Sequence, residues 1–142
     1  MLTLPPMTKA IPTIHKYMTT SPHSIGADQT LAKAHEMMHA HDIRHLPVLS
    51  GGHIVGMITD RDLHLIEAME GVDAREVKVD DAMATNVYSI SPETPLDEVV
   101  STMGQKKYGS AVVVQNGKVV GIFTTVDLCR AFSELLQTRL TK

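Results

Sequence analysis

Apolar positions along the chain switch between helical and strand-like spacing, and the whole cycle occurs twice. Leu31, Ala34 and Met38 fall on one face of a segment running from Thr30 to His41, which predicts a helix with Asp28 as its cap. A short apolar run, His45–Leu49, is separated by the turn Ser50–Gly52 from a second run, His53–Thr59, so the pair reads as a hairpin. Helical spacing returns over Asp60–Met69. Further on, Leu96, Val99, Val100 and Met103 mark a helix over Pro95–Lys106. The runs Ser110–Val114 and Lys118–Thr124 flank Gln115–Gly117, where Asn116-Gly117 tolerates the positive φ that a tight hairpin needs. Val126–Gln137 reads as the last helix. Extended pieces at His23–Ile25 and Val87–Ile90 precede the first helix of each set, so each unit is β-α-β-β-α.

The two units are copies. Met18–Leu63 lies on Met83–Leu128 at a constant offset of 65 without a gap, and 13 of the 46 pairs are identical. The expected organisation is a tail over 1–12, repeat one over 13–70, a charged linker over 71–78, repeat two over 79–138 and a short tail over 139–142. The N-terminal tail carries three prolines and no period, and is expected to be poorly ordered. Each copy is small for a core of its own, so the two are expected to share one.

Composition narrows the function. With 142 residues and a net charge of −3, the chain is no general binder of nucleic acid or of membrane surfaces. Its one cysteine, Cys129, excludes an intramolecular disulfide and reads as a buried, inert thiol. Leu2–Pro6 lacks the basic start of a signal peptide, and no apolar run reaches the ~20 residues of a membrane span. A cytoplasmic location is expected. Met37, Met38, Met57, Met69 and Met103 read as core filler.

The chemistry sits where strands end and helices begin, at Thr59-x-x-Asp62 and Thr124-x-x-Asp127. A helix start offers unpaired N–H groups to phosphate, and a carboxylate there can accept ribose hydroxyls. The same residues also make an ordinary helix cap. His35-Glu36-Met37-Met38-His39 matches H-E-x-x-H, which would make a metal-dependent hydrolase a distant alternative. Against it, Asp42 replaces the glycine of the extended motif, His45 opens a strand, and the second copy has no ligand pair at Val100–Gly104. No nucleophile–base pair is visible. No enzyme, catalytic residue or metal site is expected.

Tyr17-Met18-Thr19, Ile43-Arg44-His45-Leu46-Pro47-Val48 and Gly56-Met57-Ile58-Thr59-Asp60-Arg61-Asp62-Leu63, with Ala82-Met83-Ala84, Tyr108-Gly109-Ser110-Ala111-Val112-Val113 and Gly121-Ile122-Phe123-Thr124-Thr125-Val126-Asp127-Leu128, resemble the CBS domain, named for cystathionine β-synthase. The resemblance spans about residues 13–137 and implies a stand-alone tandem pair, a Bateman module. It implies an α/β (α+β) fold in which the two repeats pack around a pseudo-twofold axis, leaving two clefts. Such clefts imply an adenosine-containing ligand: AMP, ADP or ATP first, with NAD or S-adenosylmethionine as alternatives. One cleft would combine Thr124, Asp127 and Ile122 with His23, Ile43 and Arg44. The other would combine Thr59 and Asp62 with Tyr88, Tyr108, Gly109 and Ser110. Because Gly109 replaces Arg44 there, the Thr124/Asp127 cleft is expected to hold phosphate better. Lys106 and Lys107 are assigned to the helix end. The family also implies a homodimer, through helix faces carrying Leu65, Ile66, Phe132 and Leu136, and a protein partner. A ligand-free interaction module is the main alternative.

Overall fold

The structure is a computed structural model that describes residues 10–140; the expected disorder of the N-terminal tail falls mainly outside them. Each repeat supplies a helix, a hairpin and a second helix. Repeat one contains β1 (Thr19–Thr20), β2 (Ile25–Gly26), α1 (Leu31–His41), β3 (His45–Ser50), β4 (His53–Thr59) and α2 (Asp60–Glu67). A one-turn helix, α3 (Val79–Ala82), leads into β5 (Ser89–Ile90), α4 (Leu96–Lys106), β6 (Ser110–Gln115), β7 (Lys118–Thr124) and α5 (Thr125–Arg139). Thr30, not Asp28, caps α1: its side chain accepts the Lys33 N–H at 3.1 Å. The hydroxyl of Thr30 immediately precedes the first helical residue, whereas Asp28 lies two residues further out.

The hairpins repeat in detail. His45 pairs with Thr59 as Ser110 pairs with Thr124, and both ladders slip at the same place, after Val48 and after Val113. Asn116 and Gly117 stand at φ 54° and 76°, and Gly51 and Gly52 at 58° and 81°, the left-handed pair that a tight hairpin requires.

The strand order shows how the copies interlock. One sheet runs β2-β3-β4 and the other β1-β7-β6-β5. Thus β1, from the start of repeat one, pairs with β7 of repeat two, Thr19 opposite Ile122. Ala84, the counterpart of Thr19, returns the exchange by bridging Met57 on β4. Gly56 and Gly121 allow this close approach. A Cβ on Gly56 would strike Met83 and the Ala84 carbonyl, and one on Gly121 would strike Met18.

The cores follow the exchange. Leu31, Ala34, Met38, Leu46, Ile58 and Leu63 pack with Val79. Leu96, Val99, Met103, Ala111, Phe123 and Ala131 pack with Ile14. Met57, Val112 and Ile122 form a third cluster shared by the two copies. Of the side chains expected inside, Met69 is 56% exposed and Cys129 is exposed as well. Cys129 lies on an outward face of α5, and Met69 lies two residues past the end of α2. Ile66, expected on an outward face, instead packs on the first core.

Candidate functional site

The two Thr-x-x-Asp motifs both cap helices. At α2 the Thr59 N–H and hydroxyl each donate to Asp62 Oδ2 at 2.9 Å, and the Asp62 N–H returns a bond to Thr59 Oγ1 at 3.2 Å. At α5 the Thr124 N–H and hydroxyl donate to Asp127 Oδ2 at 2.9 and 3.2 Å. The second oxygens differ. Asp127 Oδ1 accepts the Thr19 hydroxyl at 3.0 Å and lies 3.6 Å from the Arg130 guanidinium, and Asp127 is only 4% exposed. Asp62 Oδ1 has no hydrogen-bond partner among the described residues, because Ala84 stands where Thr19 does. The carboxylate expected to serve the better phosphate cleft is therefore already engaged on both oxygens.

A cleft of about 720 Å3 opens at the seam between the repeats, on the Thr59 side. Thr59, Asp60 and Arg61 at the start of α2 form one wall, and Tyr88, Tyr108, Gly109 and Ser110 of repeat two form the other. Its size suits a nucleotide-sized ligand. The tyrosine rings lie 5.4 Å apart at 30°, each half-buried, and offer an aromatic face beside a hydrogen-bonding helix start. Asp62 sits behind this surface rather than on it. His45 contributes to the wall with its pKa lowered, chiefly by burial and then by Arg44, with Asp62 acting in the opposite direction.

The sequence grouping is thus kept for Thr59, Tyr88, Tyr108, Gly109 and Ser110. The other grouping is not gathered in any cavity described. His23 stacks on His41 with centroids 3.6 Å apart. Ile43 packs against the first core, and with Arg44 it borders a depression of about 410 Å3 beside Asp60 and His64. Ile122 is buried behind β1. Arg44 also reaches the 720 Å3 cleft, where Arg61 and Lys107 join it. The cleft expected to lack a cation has three. Lys107 was hidden by its place at a helix end: it is the left-handed cap of α4, at φ 60°, and that turn aims it at the seam.

The H-E-x-x-H stretch lies along α1. His35 Nδ1 is 2.9 Å from Glu67 Oε1, and Glu36 pairs with Lys33. Among the described residues, no three histidine, cysteine or acidic side chains are grouped so as to hold a metal ion. No helix among them is long and apolar enough to cross a membrane.

Residues 7–66 and 78–134 match the CBS domain family. The CBS domain-containing protein YhcV of Bacillus subtilis is 31% identical over 111 residues, 78% of this chain and 79% of that one. The crystal structure of the CBS domain pair of protein MJ0100, in complex with 5'-methylthioadenosine and S-adenosyl-L-methionine, matches with a TM-score of 0.80 and 25% identity, over 88% of this chain and 98% of that one. Hypoxic Response Protein I, whose structure has two coordinated zinc ions, matches with a TM-score of 0.71 and 25% identity, over 84% of this chain and 98% of that one.

Proposed function

The chain belongs to the CBS-domain family as a tandem pair, and from that premise we propose a regulatory module that binds an adenosine nucleotide, AMP, ADP or ATP, in the cleft between its repeats. The observation that carries this reading is the 720 Å3 cleft, because Thr59 of one repeat and Tyr88, Tyr108, Gly109 and Ser110 of the other face a single space. The base would stack on the tyrosines, and the phosphate would meet the Arg61 N–H at the start of α2, the Asp60 and Asp62 N–H groups being engaged by the Arg44 carbonyl and the Thr59 hydroxyl. The adenosine ligands of the MJ0100 pair support the ligand class. Asp62, which is not on the cleft wall, caps α2 in this reading and is not assigned a contact with the ligand. The protein itself performs no catalysis in this reading.

A ligand touching both walls favours one relative packing of the repeats, and a partner protein or second copy would read that shift. We place this sensor in the cytoplasm, as a homodimer.

Thermal unfolding tests the ligand. At about 100 times its dissociation constant, a ligand that binds only the folded form adds ~2.7 kcal/mol. For a chain of this size, each kcal/mol moves the melting temperature by roughly 2–4 °C. Millimolar AMP, ADP or ATP is therefore expected to raise it by about 5–10 °C. If no adenosine ligand moves it by about a degree and calorimetry is silent, the reading gives way to a ligand-free interaction module.

A further inference from the structure

Three cations face the cleft from three different elements. Arg44 precedes β3, Arg61 lies in the first turn of α2, and Lys107 caps α4. None of the three is paired with a carboxylate among the described residues. The one carboxylate on the cleft wall is that of Asp60, and its Oδ2 lies 3.7 Å from His64 Nδ1. Unpaired like charges gathered at one opening repel each other, and a chain with a net charge of −3 has acids enough to neutralise them if neutrality were the need.

The internal repeat supplies its own control. At the offset of 65, Arg44 corresponds to Gly109, Arg61 to Val126 and Lys107 to Asp42. Two of the charges vanish and the third reverses sign. The scaffold of the fold therefore does not require cations at these places.

This rests on the reading that the cleft takes an adenosine ligand. On that footing, the geometry points to a ligand with more than one phosphate, and to Arg61 and Lys107 as the residues that select for the length of the phosphate chain. A single phosphate at the start of α2 is met by the Arg61 N–H and the Arg44 guanidinium, the Asp60 and Asp62 N–H groups being already engaged. It leaves Arg61 and Lys107 without a counter-charge. A second and third phosphate supply one, through charge-assisted bonds.

Calorimetric titration of the full chain with adenosine, AMP, ADP and ATP tests this. The expected result is ADP or ATP binding about tenfold or more tighter than AMP. Arg61→Gln and Lys107→Asn should each lower ATP affinity about tenfold while changing that for adenosine less than about twofold. Asparagine tolerates the left-handed backbone at position 107, and Arg61 is exposed, so both variants are expected to keep the melting temperature of the parent. AMP binding as tightly as ATP, with both variants unchanged, overturns the selection by chain length but leaves the adenosine site standing. Failure of all four ligands, adenosine included, overturns the adenosine site itself and this inference with it.

Discussion

Asp127 is held on both oxygens, by its own cap and by the Thr19 hydroxyl arriving from repeat one, whereas Asp62 keeps one oxygen free. The difference is the loss of one hydroxyl donor, Ala84 standing in place of Thr19. Burial decides what this is worth. Removing the donor from a buried carboxylate leaves an unsatisfied charged acceptor, at a cost of about 1–3 kcal/mol. Thr19→Val, which keeps the shape of the side chain and deletes the donor, is expected to lower stability by about that much in urea unfolding. Asp127→Asn should cost more than Asp62→Asn, because Asp127 is 4% exposed and serves both repeats. Equal losses from the two asparagine variants would mean that the Thr19 bond carries no weight and that Asp127 acts as an ordinary cap.

Elements were legible wherever a local rule fixed them. The strands His53–Thr59 and Lys118–Thr124 match residue for residue, because runs rich in β-branched residues begin directly after a turn whose left-handed pair suits Gly and Asn. The starts of α2 and α5 were readable from Thr59 and Thr124. Where tertiary packing decides, the pattern was silent. The single turn Val79–Ala82 is too short to show a period, and it forms because Val79 is pulled into the first core. The exchange of β1 leaves no mark on periodicity; the resemblance implies Arg44 for the Thr124/Asp127 cleft, and the structure lines the Thr59-side cleft with it. The face of α5 was read only in part. Val126, Phe132, Leu136 and Leu140 are exposed at 58%, 52%, 45% and 63%, with Cys129 among them, and they follow one another at helical spacing. Leu65 on α2 and Met69, two residues past its end, are exposed too. In the proposed homodimer, a second copy of the same stripe, related by a twofold axis, would cover it. Light scattering at micromolar concentration is expected to give the mass of a dimer, and Phe132→Glu combined with Leu136→Glu the mass of a monomer. A monomeric parent protein would refute the proposed interface.

At the scale of the whole molecule, the units that repeat in sequence are not the units that fold. Ile14 opens repeat one yet is fully buried in the core of repeat two, with its N–H bonded to the Thr94 carbonyl at 2.8 Å. Val79, its counterpart at the offset of 65, is fully buried in the core of repeat one, with its N–H on the Gln29 carbonyl at 2.8 Å. The Met57–Val112–Ile122 cluster belongs to both. Neither core is complete without chain from the other side of the seam, so the molecule is expected to unfold in one transition. Ile14→Ala should cost about 2–5 kcal/mol and Val79→Ala about 1.5–3 kcal/mol. The chain carries its own reporter for where that cost is felt. It has no tryptophan and three tyrosines, and Tyr17, Tyr88 and Tyr108 all pack against the second core. Tyrosine fluorescence therefore follows repeat two, while far-UV circular dichroism follows both. Val79→Ala lies in the first core, yet it should move the fluorescence midpoint as far as the dichroism midpoint. If it instead splits them, with dichroism falling first and tyrosine emission unmoved, the repeats are separately stable. The exchange would then be a contact between two finished domains, and a ligand in the cleft would lose the mechanical coupling through which its occupancy is proposed to be read.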